Sequence, residues 1–237
     1  MARQPDKPVL SVWRTEEKYL LDYAHALRLR EKLACLMDAD AFGPEGYRVR
    51  SLYFDSFHNI DYAEKDAGVW RRKKIRLRIY DEDQPDAKLE LKEKNGNLQH
   101  KSSLLLSREQ ALALCDGERS FLLDIGSETA LRLYSLMTLG LYQPAALIEY
   151  DRRAYTWDAF STRLTFDSRV RGSELDLRLY ERDLPWFTVL DGQVLLEVKY
   201  NRVLPRVLSQ VLDHENLHRV SISKYTSGRL GLAAWLY

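Results

Sequence analysis

Two neighbouring stretches of the chain, residues 73–80 and 89–94, carry charged side chains at every second position. In the first, Arg76 and Arg78 alternate with Leu77 and Ile79. Alternate side chains share a face in an extended chain, so the two guanidinium groups would lie about 7 Å apart on one side of a strand. Because guanidinium binds phosphate bidentately, this spacing suits two adjacent phosphoryl groups. The first stretch therefore predicts a strand with a phosphate-binding face.

Carboxylates follow the same alternation and indicate a second kind of chemistry. Glu90 and Lys92 occupy alternate positions in the second stretch, and the Glu-x-Lys pattern recurs elsewhere. Carboxylates hold hard divalent cations such as Mg²⁺ or Mn²⁺, which bridge to phosphate oxygens. Together these residue types predict a metal and polyphosphate site. The candidates on the polar faces of the predicted strands are Glu16, Lys18, Arg76, Arg78, Glu90, Lys92, Arg152, Arg163, Glu197 and Lys199.

The same alternation has an ordinary explanation. A strand with one apolar and one charged face is typical of any antiparallel sheet that faces water on one side. Recurrence of the cationic face in several strands favours the other interpretation, in which a concave or closed sheet surrounds a multivalent anion. The motifs GxxxxGK[ST], GxGxxG, HExxH and GxSxG do not occur in the sequence, so the common nucleotide and hydrolase sites are not predicted.

Composition excludes several classes of protein. The chain has 237 residues with 36 Lys and Arg against 35 Asp and Glu. The net charge of +1 argues against nucleic acid as a partner. Cys35 and Cys115 lack metal-binding spacing and are predicted to be reduced core residues. The sequence contains no signal-peptide core and no apolar run of membrane-spanning length, so we expect a cytoplasmic protein.

The rest of the chain predicts the elements that must position the charged side chains. We expect one α+β domain over residues 1–237, with residues 1–10 as a loose lead-in, roughly eight strands, and helices packed outside. Asp22 is a candidate N-cap, Ser107 and Gln110 form a candidate capping box, and Asn95-Gly96 is typical of a hairpin turn. Strands are predicted over 11–20, 47–54, 73–80, 89–94, 98–106, 146–156, 162–167, 175–181 and 193–200. Helices are predicted over 23–37, 59–67, 108–115, 118–139 with a break near Gly126-Ser127, 205–212 and 223–235.

Eight short motifs occur in order between about residues 12 and 230. They include Arg76-Leu77-Arg78-Ile79-Tyr80, Tyr150-Asp151-Arg152-Arg153-Ala154-Tyr155 and Leu196-Glu197-Val198-Lys199. In this order they resemble the VTC domain, the polyphosphate polymerase domain of the vacuolar transporter chaperone family, within the triphosphate tunnel metalloenzymes of the CYTH superfamily. The resemblance implies a closed eight-stranded antiparallel β-barrel, a tunnel whose basic lumen binds a triphosphate and a divalent metal.

The resemblance also implies roles for individual residues. In the polymerase members the γ-phosphate of ATP passes to a growing polyphosphate chain, with Mn²⁺ or Mg²⁺ as cofactor. Glu197 would be the principal metal ligand, with Glu16 and Glu90 as helpers. The implied catalytic residues are Arg76, Arg78, Lys199 and Lys224. The implied phosphate-binding residues are Lys18, Arg76, Arg78, Lys92, Lys101, Arg152, Arg163, Lys199 and Lys224.

Departures from the family pattern refine this expectation. The hydrolytic and cyclase relatives begin with Glu-x-Glu-x-Lys, whereas Arg14 takes the first of these positions, which removes a carboxylate and favours a polymerase. On the return strand, Lys101 precedes Ser102-Ser103, where polymerases usually place further basic residues. The phosphate-sensing and membrane domains of larger members are not in the sequence. We therefore expect a separate partner, such as a membrane protein that handles the product and keeps the enzyme at the membrane periphery.

Three functions remain open from the sequence. The first is a polyphosphate polymerase that uses ATP. The second is a tunnel triphosphatase that hydrolyses tripolyphosphate or a nucleoside triphosphate with the same residues, water replacing the acceptor phosphate. The third is a non-catalytic module that binds polyphosphate in the lumen without an aligned acceptor.

Overall fold

The computed structural model describes residues 14–96 and 98–229, in which one large antiparallel sheet is combined with short helices. The strands are β1 Arg14–Asp22, β2 Asp38–Ala39, β3 Tyr47–Asp55, β4 Arg71–Ile79, β5 Asp86–Asn95, β6 Leu98–Ser107, β7 Gln143–Trp157, β8 Thr162–Ser173, β9 Phe187–Thr188 and β10 Gln193–Asn201. The helices are α1 Tyr23–Ala34, α2 Ile60–Asp66, α3 Arg108–Cys115, α4 Phe121–Ile125, α5 Glu128–Leu139, α6 Arg206–His214 and α7 Lys224–Arg229. The mixed α+β architecture is confirmed.

The sheet curves until its two ends approach each other. Its strands are neighbours in the order β1, β10, β8, β7, β3, β4, β5 and β6, with β2 added to β7 and β9 to β8. Among the described residues no hydrogen-bonded ladder joins β1 to β6, so the predicted closed barrel is not confirmed. Side chains span the distance instead, because Lys92 Nζ on β5 lies 3.2 Å from Glu16 Oε2 on β1.

Apolar side chains face outward from the curved sheet and form the core there. On β4, Ile75, Leu77 and Ile79 are at most 1 % exposed, and they share a cluster with Leu89 of β5 and Leu133 of α5. A second apolar cluster lies where α1 and α6 cover the outer face of β1, β8 and β10. Since successive side chains alternate, the charged positions between them face inward. The alternation predicted for these strands is therefore confirmed.

Local signals at the element ends act as predicted. Asp22 caps α1, where its carboxylate accepts a hydrogen bond of 2.7 Å from the backbone N–H of His25. Ser107 and Gln110 form a capping box at α3, with reciprocal bonds of 3.2 and 3.0 Å between side chain and backbone. The hairpin predicted at Asn95-Gly96 is present, but Asn95 ends β5 and pairs with Leu98, so it is not a central turn residue; Gly96 has a φ of +59°, which glycine adopts without strain. These signals fix where the outer helices and the β5–β6 hairpin begin.

The strand predicted over 175–181 is wrong, because this segment is an irregular connection between β8 and β9. Its backbone carbonyls are occupied by a buried guanidinium rather than by a neighbouring strand. Arg50 Nη1 donates to Leu179 O at 3.1 Å and to Glu181 O at 2.5 Å. Arg50 also pairs with Glu149 at 2.6 Å. A side chain that lies far away in sequence thus satisfies carbonyl groups that a strand would have paired.

The prediction that Cys35 is a core residue is also wrong. The helix predicted over 23–37 ends at Ala34, and Cys35 follows it as an exposed free thiol. Cys115 is half-buried and free, and burial raises the pKa of its thiol to about 12. Both cysteines are therefore reduced, but neither belongs to the fully buried core.

Several expectations fall partly or wholly outside the described residues, among them the first three positions of the strand predicted over 11–20. The lead-in over 1–10 and the side chain of Arg14 are outside them. The last predicted helix, 223–235, is described as α7 up to Arg229. Within the described part of the chain, no helix combines the length and the hydropathy needed to cross a membrane.

Candidate active site

A polar cavity of about 430 Å³ lies within the curve of the sheet. Strands β1, β3, β4, β5, β6, β7, β8 and β10 and helix α7 all contribute to its lining. Every candidate residue from the sequence lines this cavity except Glu90. Those that do are Glu16, Lys18, Arg76, Arg78, Lys92, Lys101, Arg152, Arg163, Glu197, Lys199 and Lys224. The inward-facing charges predicted on separate strands therefore converge.

Asp167 organises the cations at the β7–β8 side of the cavity. It is fully buried and accepts a two-pronged hydrogen bond from Arg152, with distances of 2.6 and 2.7 Å. Lys224 Nζ lies 2.5 Å from Asp167 and 2.9 Å from Glu197. Burial raises the pKa of Asp167, but Arg152 and Lys224 outweigh this effect and hold the pKa below its ordinary value. No role was predicted for Asp167, although its place in the alternation of β8 put it on the inner face.

Glu90 lies beneath the two arginines of β4. It is 2 % exposed, and its carboxylate lies 2.7 Å from Arg76 Nε and 3.7 Å from Arg78 Nη1. Lys101 contacts its other oxygen. Burial raises the pKa of Glu90, but the three cations together bring it well below the usual value. Glu90 therefore acts as a counter-ion that positions the guanidinium groups, and its predicted part in metal binding stays a prediction.

Glu16 and Glu197 share two lysine partners at the β1–β10 side of the cavity. Lys18 Nζ lies 3.4 Å from each of the two carboxylates. Lys199 Nζ lies 2.8 Å from Glu197 and 3.8 Å from Glu16. Burial raises the pKa of Glu16, yet Lys199, Lys92 and Lys18 hold it far below its ordinary value. Burial also lowers the pKa of Lys92 to about 8, although Glu16 opposes this shift.

The carboxylates of this cavity suit a divalent cation only together with a phosphate ligand. Among the described residues, no group of three or more His, Cys, Asp and Glu side chains could hold a metal by itself. Glu16 and Glu197 do approach the same two ammonium groups. Mg²⁺ commonly binds to one or two carboxylates and completes its shell with substrate phosphates and water. The donor set thus fits a cation that arrives with a phosphate group.

Lys74 and Tyr150 line the cavity although neither was assigned a role from the sequence. Lys74 Nζ donates to Ser223 Oγ at 2.6 Å. Burial and the nearby ammonium groups, foremost that of Lys18, lower the pKa of Lys74 well below its ordinary value. The ring of Tyr150 faces Lys224 Nζ at 4.8 Å, a cation–π contact. The alternation of Lys74 with Arg76, and of Tyr150 with Arg152, could have identified both side chains as facing the cavity.

A buried carboxylate at the end of β3 anchors the helix that carries Lys224. Asp55 is fully buried, and its oxygens accept the backbone N–H groups of Asp61 and Tyr62, each at 2.9 Å. The hydroxyl of Tyr225 donates to the same carboxylate at 2.5 Å. Because Tyr225 follows Lys224 directly, this bond holds α7 where its lysine reaches Asp167 and Glu197. Asp55 and Tyr225 are thus positioning residues.

A second basic cavity of about 200 Å³ adjoins the first. The two share lining residues that include Lys18, Lys74 and Lys92. The smaller cavity adds Lys65 and Lys94 among its lining residues. Burial lowers the pKa of Lys65 and of Lys94, and neighbouring cations contribute in the same direction. Cationic lining therefore continues beyond the space that surrounds Arg76 and Arg78.

The fold and the site thus define a class of protein in which the inner face of a curved antiparallel sheet gathers cations from most of its strands around one cavity. A family model described as "VTC domain" matches residues 13–233. The chain therefore belongs to the VTC domain family, which confirms the resemblance inferred from its motifs. No functionally curated protein matches the chain.

Solved structures with low sequence identity share the fold. A Bacillus halodurans protein, provisionally named an adenylate cyclase, has a TM-score of 0.54 and 13 % identity, covering 89 % of this chain and 95 % of its own. The Hippeastrum protein HpAC1, provisionally named an adenylyl cyclase and described as having a dominant triphosphatase activity, has a TM-score of 0.56 and 16 % identity. That match covers 91 % of this chain and 95 % of HpAC1.

Proposed function

We propose that this chain is a metal-dependent phosphotransferase that moves the γ-phosphoryl group of ATP onto a polyphosphate chain held in the cavity. The observation that carries the proposal is the convergence of Arg76, Arg78, Arg152, Lys199 and Lys224 on one lining. So many cations in a confined space suit a multivalent anion, and guanidinium matches phosphate in particular. Membership of the VTC domain family supports the same conclusion.

The adjoining basic cavity favours a polymer over an isolated triphosphate. A triphosphate would be accommodated beside Arg76 and Arg78. Of these two adjoining cavities, Lys65 and Lys94 line the second and not the first, and there they would meet further phosphate groups of a longer chain. This continuation of positive charge supports polyphosphate as the acceptor or product.

In the proposed reaction the residues act by orientation and by charge. Glu90 and the Tyr53 hydroxyl hold two edges of the Arg76 guanidinium, at 2.7 and 2.9 Å. An arginine has five N–H donors in a rigid fork, so further donors of Arg76 are available for phosphate oxygens. Arg152, fixed by Asp167, would orient a neighbouring phosphoryl group in the same way. Such prearranged donors stabilise the charge that develops on the transferring group.

The transfer itself needs no general base when the acceptor is a polyphosphate end. An ionised terminal oxygen forms the new bond to the γ-phosphorus while the bond from that phosphorus to the β–γ bridging oxygen breaks, and ADP leaves with the electron pair. Lys199 and Lys224 would neutralise charge on the oxygens of the transferring group. Glu197 and Glu16 would hold a divalent cation, which would supply further neutralisation of phosphate charge.

A tunnel triphosphatase is the second candidate. HpAC1, which shares the fold, has a dominant triphosphatase activity, and the same residues could orient water instead of an acceptor phosphate. A non-catalytic polyphosphate-binding module is the third.

Incubation of the purified chain with γ-labelled ATP and Mn²⁺ or Mg²⁺ separates the candidates. Labelled acid-labile chains are the expected product. Free phosphate alone would indicate the triphosphatase, and unchanged ATP would indicate the binding module.

Variants test which residues carry the reaction. We expect Glu197→Gln to lower turnover by about 100-fold or more, the scale seen when a preorganised charge is lost from an active site. Replacing Arg76 and Arg78 together by alanine should weaken tripolyphosphate binding, at about 1.5–3 kcal/mol for each charged hydrogen bond removed. Arg178→Ala is the matched control, because Arg178 is exposed and pairs with Asp176 outside both cavities. Undiminished turnover in the first two variants would contradict the site assignment.

The partner and the location inferred from the family resemblance remain predictions. A separate membrane protein would handle the product and bring a cytoplasmic chain to the membrane periphery. Copurification of the chain with the membrane fraction, lost after detergent extraction of that fraction, would support this arrangement. We also expect no binding to duplex DNA under conditions in which tripolyphosphate binds, because the net charge is only +1.

A further inference from the structure

Four exposed apolar side chains lie in two loops that meet where β3 ends and β7 begins. Leu139, the last residue of α5, is 86 % exposed, and Leu141 is 65 % exposed. Phe57, between β3 and α2, is 60 % exposed, and Ile60, the first residue of α2, is 44 % exposed. The Phe57 N–H donates to Gly140 O at 3.2 Å, so a hydrogen bond joins the two loops. The side chains of Phe57, Ile60, Leu139 and Leu141 together form the apolar patch.

The apolar patch is held in a defined shape. The hydroxyl of Tyr142 donates to the buried carboxylate of Asp61 at 2.8 Å, which ties the loop after α5 to α2. Leu141 has a φ of +49°, a left-handed conformation that residues with a Cβ atom adopt only at a cost in energy. Single exposed leucines are common, but several large apolar side chains together on a fixed surface are typical of an interaction site.

The described part of the chain ends beside the apolar patch. Arg229 is its last residue, and Arg229 Nη1 donates to Asn59 Oδ1 at 3.0 Å. On its other side Arg229 Nε donates to Glu174 Oε1 at 2.7 Å. Asn59 directly precedes Ile60 and lies two residues after Phe57, a separation of at most about 7 Å. The next residues of the chain therefore start within a short distance of the patch.

The sequence that follows Arg229 is apolar. Residues 230–237 include Leu230, Leu232, Trp235 and Leu236, and none of the eight carries a charged side chain. Eight residues span about 12 Å as a helix and up to about 26 Å when extended. Either length is sufficient to reach from Arg229 across the patch. An uncharged segment can also be buried there without leaving a charge unpaired.

We propose that residues 230–237 dock on the apolar patch, which is therefore an intramolecular interface. Burial of apolar area on both sides drives the contact. The tether to Arg229 gives the segment a far higher effective concentration at the patch than a second copy of the chain has. Docking secures the end of α7, the helix that carries Lys224, from outside the sheet. The proposal concerns the fold and does not depend on the proposed function.

Hydrogen–deuterium exchange of the full-length chain tests the contact. We compare the wild type with a variant that combines Trp235→Ser and Leu236→Ser, using β6 as the internal reference. Amides of residues 56–60 and 139–142 should exchange about tenfold faster in the variant, because the patch loses its cover. Equal exchange rates would overturn the proposal. Protection of the wild type that disappears on dilution would also overturn it, since the occupant would then be a second copy.

A double-mutant cycle measured by urea denaturation locates the partner surface. Leu139→Ser and Trp235→Ser should each lower the folding equilibrium constant by about tenfold, the scale of a partly buried apolar side chain. The two together should lower it by little more than either alone, because both remove the same contact. Leu105→Ser is the matched control, because Leu105 is 63 % exposed on β6, three strands from β3. Its effect should multiply with that of Trp235→Ser. If the effects of Leu139→Ser and Trp235→Ser also multiply, the docking is refuted.

Discussion

Lys73 and Lys74 are adjacent in sequence but project to opposite faces of β4, and we expect their replacement by methionine to change stability in opposite directions. Lys73 Nζ lies 2.9 Å from the buried carboxylate of Asp61, which also accepts a hydrogen bond from Tyr142 at 2.8 Å. Lys74 faces the cationic cavity, where Ser223 accepts its hydrogen bond at 2.6 Å. Methionine keeps most of the apolar stem at both positions while it removes the charge.

Lys73→Met should destabilise the chain by about 2 kcal/mol at pH 7, below the 3–5 kcal/mol of a fully buried pair because Lys73 is partly exposed. Burial raises the pKa of Asp61 to about 6 even with Lys73 present. Loss of Lys73 will raise this pKa further, so the loss of stability in Lys73→Met is largest above pH 6. Below that pH Asp61 is increasingly protonated in both proteins, and the difference shrinks.

Lys74→Met should stabilise the chain by about 1 kcal/mol at pH 7, the usual gain when a strained functional residue is replaced. The pKa of Lys74 in the folded chain is depressed, first by burial and then by neighbouring cations. The unfolded chain therefore binds more protons between this depressed pKa and the ordinary value, so stability rises with pH there. The gain in stability of Lys74→Met over the wild type must therefore disappear as the pH approaches the ordinary lysine pKa.

Urea denaturation at pH 5, 7 and 9 measures both effects, and calorimetry with tripolyphosphate measures the functional cost. Lys74→Met should weaken tripolyphosphate binding by about tenfold, the lower end for one charged hydrogen bond. Lys73→Met, whose ammonium group is engaged by Asp61, should weaken it much less. A loss of stability in Lys74→Met at pH 7, or tripolyphosphate affinity as high as that of the wild type, would refute this account of the cavity.

Two further predictions concern the residues that position the cavity. Asp167→Asn should destabilise the chain by about 3 kcal/mol in urea denaturation, because it leaves Arg152 and Lys224 buried with less compensating charge. Stability within 0.5 kcal/mol of the wild type would show that Asp167 is not their main counter-ion, on the scale of about 0.5 kcal/mol for neutral substitutions. Tyr225→Phe should cost about 1–2 kcal/mol, because the buried carboxylate of Asp55 loses a donor. It should also weaken tripolyphosphate binding, and unaltered affinity would contradict the anchoring of Lys224 through this hydroxyl.

Strand faces could be predicted from the sequence because the side-chain period of a strand is two residues. Once Leu77 and Ile79 are outward, Arg76 and Arg78 must be inward wherever that strand sits in the sheet. Capping at Asp22 and Ser107 was equally predictable, since these bonds span three residues. Local rules thus sufficed for the cationic faces and for the ends of several helices.

Pairings between distant residues could not be predicted in this way. Arg152 lies opposite Asp167 in the β7–β8 pair, but Lys224 becomes a partner of Asp167 only when α7 folds back to β8, and no sequence spacing encodes that approach. The irregular segment at 175–181 depends on Arg50, which lies 129 positions from Leu179. The course of the sheet depends on the curvature accumulated over many strands, to which local patterns contribute little. The ion pairs of Glu90 with Arg76 and Lys101 likewise depend on which strands are neighbours, which the alternation along one strand does not specify.

Carboxylates of the protein itself neutralise part of the positive charge of the cavity before any ligand binds. Glu90 sits with Arg76, Asp167 with Arg152, and Glu197 with Lys199. The ten Lys and Arg side chains of the lining nevertheless outnumber the carboxylates that contact them, so the interior keeps a net positive charge. Binding of a polyphosphate should release the cations that accompany its phosphates in solution, and affinity for polyanions should therefore fall as ionic strength rises.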